Sequence, residues 1–138
     1  MWIPMMRWIS ACAVAVSTVS LADAHHSITG VYDTRREVAV EAVVTQFHFV
    51  SPHPFVLAEV VRNGAAEEWR FDMDNRGEMR EIGVTAETLR VGDRVAVAGH
   101  PAREDSRRLY IQRFERPSDG FSFDIVDRRP RLRHAPAR

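Results

Sequence analysis

From Glu37 onward the chain alternates between apolar and polar positions. Val38, Val40, Ala42 and Val44 share one parity, whereas Phe47 and Phe49 share the other. Strand side chains project to opposite faces with period two, so one regular strand cannot bury both sets. A single extra residue near Thr45 reconciles them, and the pattern therefore predicts a β-bulge within a long first strand over 37–50. Long, bent first strands suit small barrels, in which one strand serves two walls. Ser51-Pro52-His53-Pro54 ends the ladder, because two prolines remove two donors and hold the chain extended. Residues 55–62 read as a second strand, Asn63-Gly64 as a hairpin turn, and 69–73 as a third strand.

The pattern then changes. Asp74-Asn75-Arg76-Gly77 is a turn, and 78–82 suits a short helix. Residues 85–89 read as a helical turn, with Thr85 as cap and Glu87 near the positive end of the dipole. Gly92-Asp93 turns into a strand over 94–99, with Val95 and Val97 inward and Arg94 outward. A polar hairpin loop at 103–107 leads to a last strand over 109–115. Three strands, a short helical insertion and two strands make an all-β protein. The architecture expected for residues 25–116 is an OB-like five-stranded β-barrel with the insertion between strands 3 and 4.

The first 24 residues follow another logic. Arg7 precedes an uncharged, mostly apolar run over 8–19, and small residues lead to Ala22-Asp23-Ala24. This is the signature of a cleaved signal peptide, whose helix is shorter than the ~20 apolar residues a membrane span needs. A lipobox-like stretch ends at Cys12, but the interval from Arg7 is too short for an apolar signal core. A periplasmic or secreted chain without a membrane span is expected. Cys12 is the sole cysteine and falls within the leader, so the mature protein is expected to have no disulfide.

Charge adds an asymmetry. The basic residues are all arginine, and the chain is formally neutral. Over 25–127 there are 13 Arg against 18 acids, whereas 128–138 holds five Arg and no acid. Residues 117–138 read as an Arg-rich tail without fixed structure, suited to contact with anionic surfaces. The acidic body and the export signal argue against nucleic acid as a partner.

No Gly-x-Ser-x-Gly elbow, phosphate loop or paired-carboxylate motif is visible, and Glu67 and Glu68 point to opposite faces of a strand. The expectation is a non-enzymatic binding module, its ligand a small molecule, a metal ion or an envelope protein. The alternative is a copper-binding protein, a carrier or a redox site. Cleavage after Ala24 makes His25 the first residue, and its amine and imidazole together suit copper(II). Cleavage after Ala22 instead gives Asp23-Ala24-His25, a square-planar chelating end. His53, held between two prolines in the loop after the first strand, is the first partner expected from the body. His26 and His48 complete the candidate set, while His100 and His134 are assigned no role. Asp72 and Asp74 read as solvated charge.

With these elements in order, the chain resembles a family of small secreted bacterial proteins of unknown function. The resemblance rests on His25-His26-Ser27, Tyr32-Asp33, an Asn-Pro-His element matched by Ser51-Pro52-His53, and Trp69-Arg70-Phe71-Asp72. It continues through Thr85, Leu89, Gly92 and Asp93 to Gly99-His100-Pro101-Ala102. It spans roughly residues 25–116. Ser51 for Asn, Asp72 for Glu, Val84 in place of an aromatic, and the Arg-rich tail depart from the pattern. The resemblance implies an OB-like fold and export, and brings no activity. The chain is also similar, more distantly, to periplasmic OB-fold proteins that bind small charged ligands.

Overall fold

The computed structural model of the protein describes residues 26–137. A short helix, α1 (His26–Val31), precedes β1 (Val38–His48), β2 (Phe55–Arg62) and β3 (Ala65–Asp72), which form an antiparallel meander. Asn63 and Gly64 sit at φ 52° and 79°, the conformation a two-residue hairpin turn requires. β1 serves two walls. Residues 38–43 pair with β4 (Arg94–Pro101), and residues 43–48 pair with β2. Within the second wall Val44 pairs with Ala58 but Gln46 with Leu57, leaving Thr45 as the extra residue of the expected bulge. The shift lets fully buried Val44 and partly buried Phe47 pack against the same core.

β5 (Arg108–Arg116) runs antiparallel to β4 and parallel to β3, through the pairs Arg70–Arg108, Phe71–Leu109 and Asp72–Tyr110. That parallel seam closes β1-β2-β3-β5-β4 into the five-stranded OB-like barrel expected from the sequence. Trp69, Phe71, Leu109, Ile111 and Phe114 fill its interior. The insertion between β3 and β4 holds α2 (Arg76–Glu81), capped by the Asn75 side chain, which accepts from the Gly77 N–H at 2.7 Å. Met79 of α2 joins the core with Val84 and Leu89. At 85–89 the chain forms turns rather than a helix, although Thr85 Oγ1 does accept from the Glu87 N–H.

Two elements correct the sequence expectations. α1 was not anticipated, and residues 117–138 are not an unstructured tail. β6 (Phe121–Val126) pairs with β5, and β7 (Arg129–His134) pairs with β6, so the sheet continues well past residue 116. The cause is an alternation inside an arginine-rich, polar stretch. Phe121 and Phe123 point inward, each 1% exposed, and Phe123 stacks on Phe114 at 5.3 Å. Arg116, fully buried, fixes the turn before β6 by pairing with Asp119 at 2.7 Å and with Asp93 at 2.9 Å. Asp127 and Arg128, both at positive φ, make the turn into β7. The arginines and Pro130 decorate β7, which among the described residues is the last strand of the sheet order; such residues discourage further pairing at an edge.

Replacing Phe123 by Ala is expected to cost about 3–5 kcal/mol, the usual loss for a buried aromatic. Urea denaturation measures it, and a merely solvated tail would leave the midpoint unchanged.

Candidate functional site

The closing seam sets Arg70 beside Arg108, and like charges in register repel. Asp72, 5% exposed, resolves the conflict. Its Oδ1 accepts from Arg70 at 2.8 Å, and its Oδ2 accepts from Arg108 Nε at 2.6 Å and from the Tyr32 hydroxyl at 2.7 Å. Burial alone would raise the Asp72 pKa. Hydrogen bonds from Arg108, Arg70 and Tyr32 outweigh burial and hold the carboxyl below its ordinary range. The same contact has the reverse effect on Tyr32, whose phenol is pushed up by burial and by Asp72, so it stays a donor.

Tyr32 ties the amino-terminal segment to this seam. It bridges to Ala102, while Asp33 N–H donates to the Pro101 carbonyl and Arg103 N–H to the Val31 carbonyl, each at 2.9 Å. The Arg103 guanidinium also reaches the Thr29 carbonyl. Ile28 of α1 packs against a small apolar cluster of Tyr32, Ala102 and Tyr110. Close approach of the strands beneath depends on Gly99, where a Cβ would collide with the Tyr110 carbonyl.

The loop between β1 and β2 arrives from the other side. The Pro54 carbonyl accepts from Met73 N–H and the Pro52 carbonyl from Arg76 N–H, each at 2.9 Å. The backbone at His53 therefore runs alongside Asp74 and Asn75, with the His53 side chain exposed. Arg76 leans over Phe49 and reaches the Ser51 hydroxyl. His48 stacks on Phe55 at 4.4 Å, and the Arg70 guanidinium lies over the same ring at 3.8 Å, so one stack runs from β1 to Asp72. Three segments that are distant in sequence thus meet at residues 72–76.

The chain belongs to a family of unknown function, DUF6152. Its model matches residues 13–110. A comparison with curated proteins finds no match. The DUF6152 match takes in Tyr32, the β1–β2 loop, Asp72, Asp74 and Arg108, and it stops before β6 and β7.

Of the metal-ligand candidates in this DUF6152 chain, His25 lies outside the described residues, as does the expected signal peptide. Of His26 only the backbone, at the start of α1, is described. His53 and His48 flank the same loop, but the His48 ring is engaged by Phe55 and by Gln46 Oε1 at 2.9 Å. Among the described residues no three His, Cys, Asp or Glu side chains gather as a metal group. His100 bonds the Arg36 carbonyl and His134 the Ser122 hydroxyl, which gives both local structural contacts. Asp72 and Asp74 are buried, not solvated as the sequence reading had them. The outer wall of β1, β2 and β4 also carries a groove of about 570 Å³, lined by Val43, Val61 and Ala96 with Glu41, Glu59 and Arg94; among the described residues no histidine lines it.

Because the folded pKa of Asp72 is depressed, its contribution to stability is full above the unfolded value of about 4. It is lost as the pH falls through the lower folded value. Urea midpoints between pH 2 and 6 are expected to fall at the acid end for the wild type and to change less for Asp72→Asn. Near neutral pH that variant is expected to lose about 1.5–3 kcal/mol, the range for hydrogen bonds to charged groups.

Proposed function

We propose that this DUF6152 protein is an exported, non-enzymatic binding module whose ligand seats where the β1–β2 loop and Tyr32 meet residues 72–76. The observation that carries this reading is the convergence of those segments on buried Asp72, with exposed His53 and partly exposed Arg70 and Arg108 around it. The barrel interior is filled by Trp69, Phe71 and Phe114, so a ligand is held on the outside, at the loops. Export rests on the leader pattern of residues 1–24, which directs the barrel to the periplasm. The absence of a nucleophile motif in the sequence favours binding over catalysis.

A second reading, copper binding, gains support from one contact. Tyr32 holds the amino-terminal segment on the seam at the same corner as His53, and α1, about 9 Å long, begins at His26. Cleavage after Ala24 brings the amine and imidazole of His25 to the start of this helix. His53 then supplies a third nitrogen, with His26 or His48 as a further ligand, a donor set that suits copper(II).

Native mass spectrometry on protein exported to and purified from the periplasm tests both readings. The expected species begins at His25, or at Asp23 if cleavage follows Ala22. Uptake of one copper, lost on acidification, favours the metal reading. A metal-free mass indifferent to added copper removes it and leaves the module's partner to be captured from the cell envelope.

A further inference from the structure

Two guanidinium groups meet one carboxylate at the seam, and the charges do not balance. Arg70 and Arg108 are neighbours across the β3–β5 pairing, and each forms its ion pair with Asp72. Among the described residues no second carboxylate pairs with either arginine. Asp72 is itself fully occupied. Its Oδ1 serves Arg70, while its Oδ2 serves both Arg108 Nε and the Tyr32 hydroxyl. Tyr32 donates a proton and adds no charge. Two positive charges against one negative leave the cluster with a surplus of one positive charge.

The geometry places that surplus at the surface. The shared carboxylate is withdrawn, at 5% exposed, whereas the side chains of Arg70 and Arg108 are 38% and 37% exposed. Each guanidinium is also held across its face. Arg70 lies over the Phe55 ring at 3.8 Å, and Phe55 is stacked in turn with His48. Arg108 lies over the Tyr32 ring at 5.6 Å. A ring on the flat face and a carboxylate on one edge fix the plane of each arginine, so a ligand is spared much of the cost of ordering two long side chains. The edge of Arg70 away from Asp72 carries Nη1, which makes no hydrogen bond among the described residues. Guanidinium groups donate and never accept, so a cation or an apolar group finds no match there. The oxygens of a carboxylate or a phosphate do match the fork.

We propose that the solvent-facing edges of Arg70 and Arg108 bind an oxyanion, a carboxylate or phosphate group that supplies the missing negative charge of the cluster. The proposal rests on the binding-module reading above and deepens it by naming the ligand class of that corner.

The experiment titrates protein exported to and purified from the periplasm with inorganic phosphate and, separately, with succinate at low ionic strength. Nuclear magnetic resonance follows the arginine Nε–H groups and the backbone amides. Saturable shifts of the Arg70 and Arg108 Nε–H signals with at least one anion are the expected result, and the anion that binds more tightly tells phosphate from carboxylate. Arg70→Gln and Arg108→Gln are each expected to weaken binding at least about tenfold, the scale of a hydrogen bond to a charged group. Arg129→Gln, on the basic strand β7, is expected to match the wild type. Shifts confined to β7, no saturable shift with either anion, or wild-type affinity in both seam variants would overturn the proposal. Should the seam variants fail to fold, the wild-type Nε–H signals decide: saturation supports the oxyanion site and unmoved signals overturn it. Failure here is separable from failure of the module. In a wild type indifferent to both anions, copper(II) broadening at residues 72–78 would keep the ligand corner, and silence there as well would remove it.

Discussion

The fold depends on a charge conflict at its closing seam. Only with β3 and β5 side by side is the barrel closed, and that pairing sets two guanidinium groups next to each other. Asp72 answers both, one oxygen to each, and uses its remaining capacity for Tyr32. One carboxylate therefore closes the barrel and anchors the amino-terminal segment. Through the Arg70–Phe55–His48 stack it also borders the loop that carries His53. A residue that couples three segments in this way holds the corner rigid, which is the preorganisation that the proposed binding site needs.

Arginine chemistry is central to this arrangement. Lysine offers a point charge, whereas the planar guanidinium presents several donors in a fixed fork. At Arg116 that fork bonds two aspartates and the Thr88 carbonyl from a fully buried position, tying the β6 turn to the 85–93 segment. At the seam two guanidinium groups share one carboxylate. What reads in the sequence as an arginine-for-lysine bias becomes, in the fold, a set of buried and half-buried clamps.

Much of the barrel was legible from alternation alone. The parity switch between Val44 and Phe47 marked the bulge at Thr45, because period two leaves no other way to bury both sets. Asn63-Gly64 marked its hairpin, and the break at 51–54 separated β1 from β2. The hairpin of β6 and β7 was obscured because the charge of 128–138 outweighed the short Phe121-Ser122-Phe123 alternation that drives it. The buried acids were hidden for a different reason. Asp72 meets Tyr32 and Arg108 across 40 and 36 residues, contacts that no local window contains. Likewise His53 could be read as a rigid loop histidine, but its nearness to Asp74 follows only from the β2–β3 pairing carried past its end.

The proposed ligand corner is tested most directly by a nuclear magnetic resonance map of copper(II), the ligand of the second reading, on isotopically labelled protein purified after export, at substoichiometric metal. Paramagnetic broadening confined to residues 26–33, 51–55 and 72–78 is the predicted result. Broadening centred on His100 or His134, or spread evenly over the barrel, would contradict a ligand site at the seam.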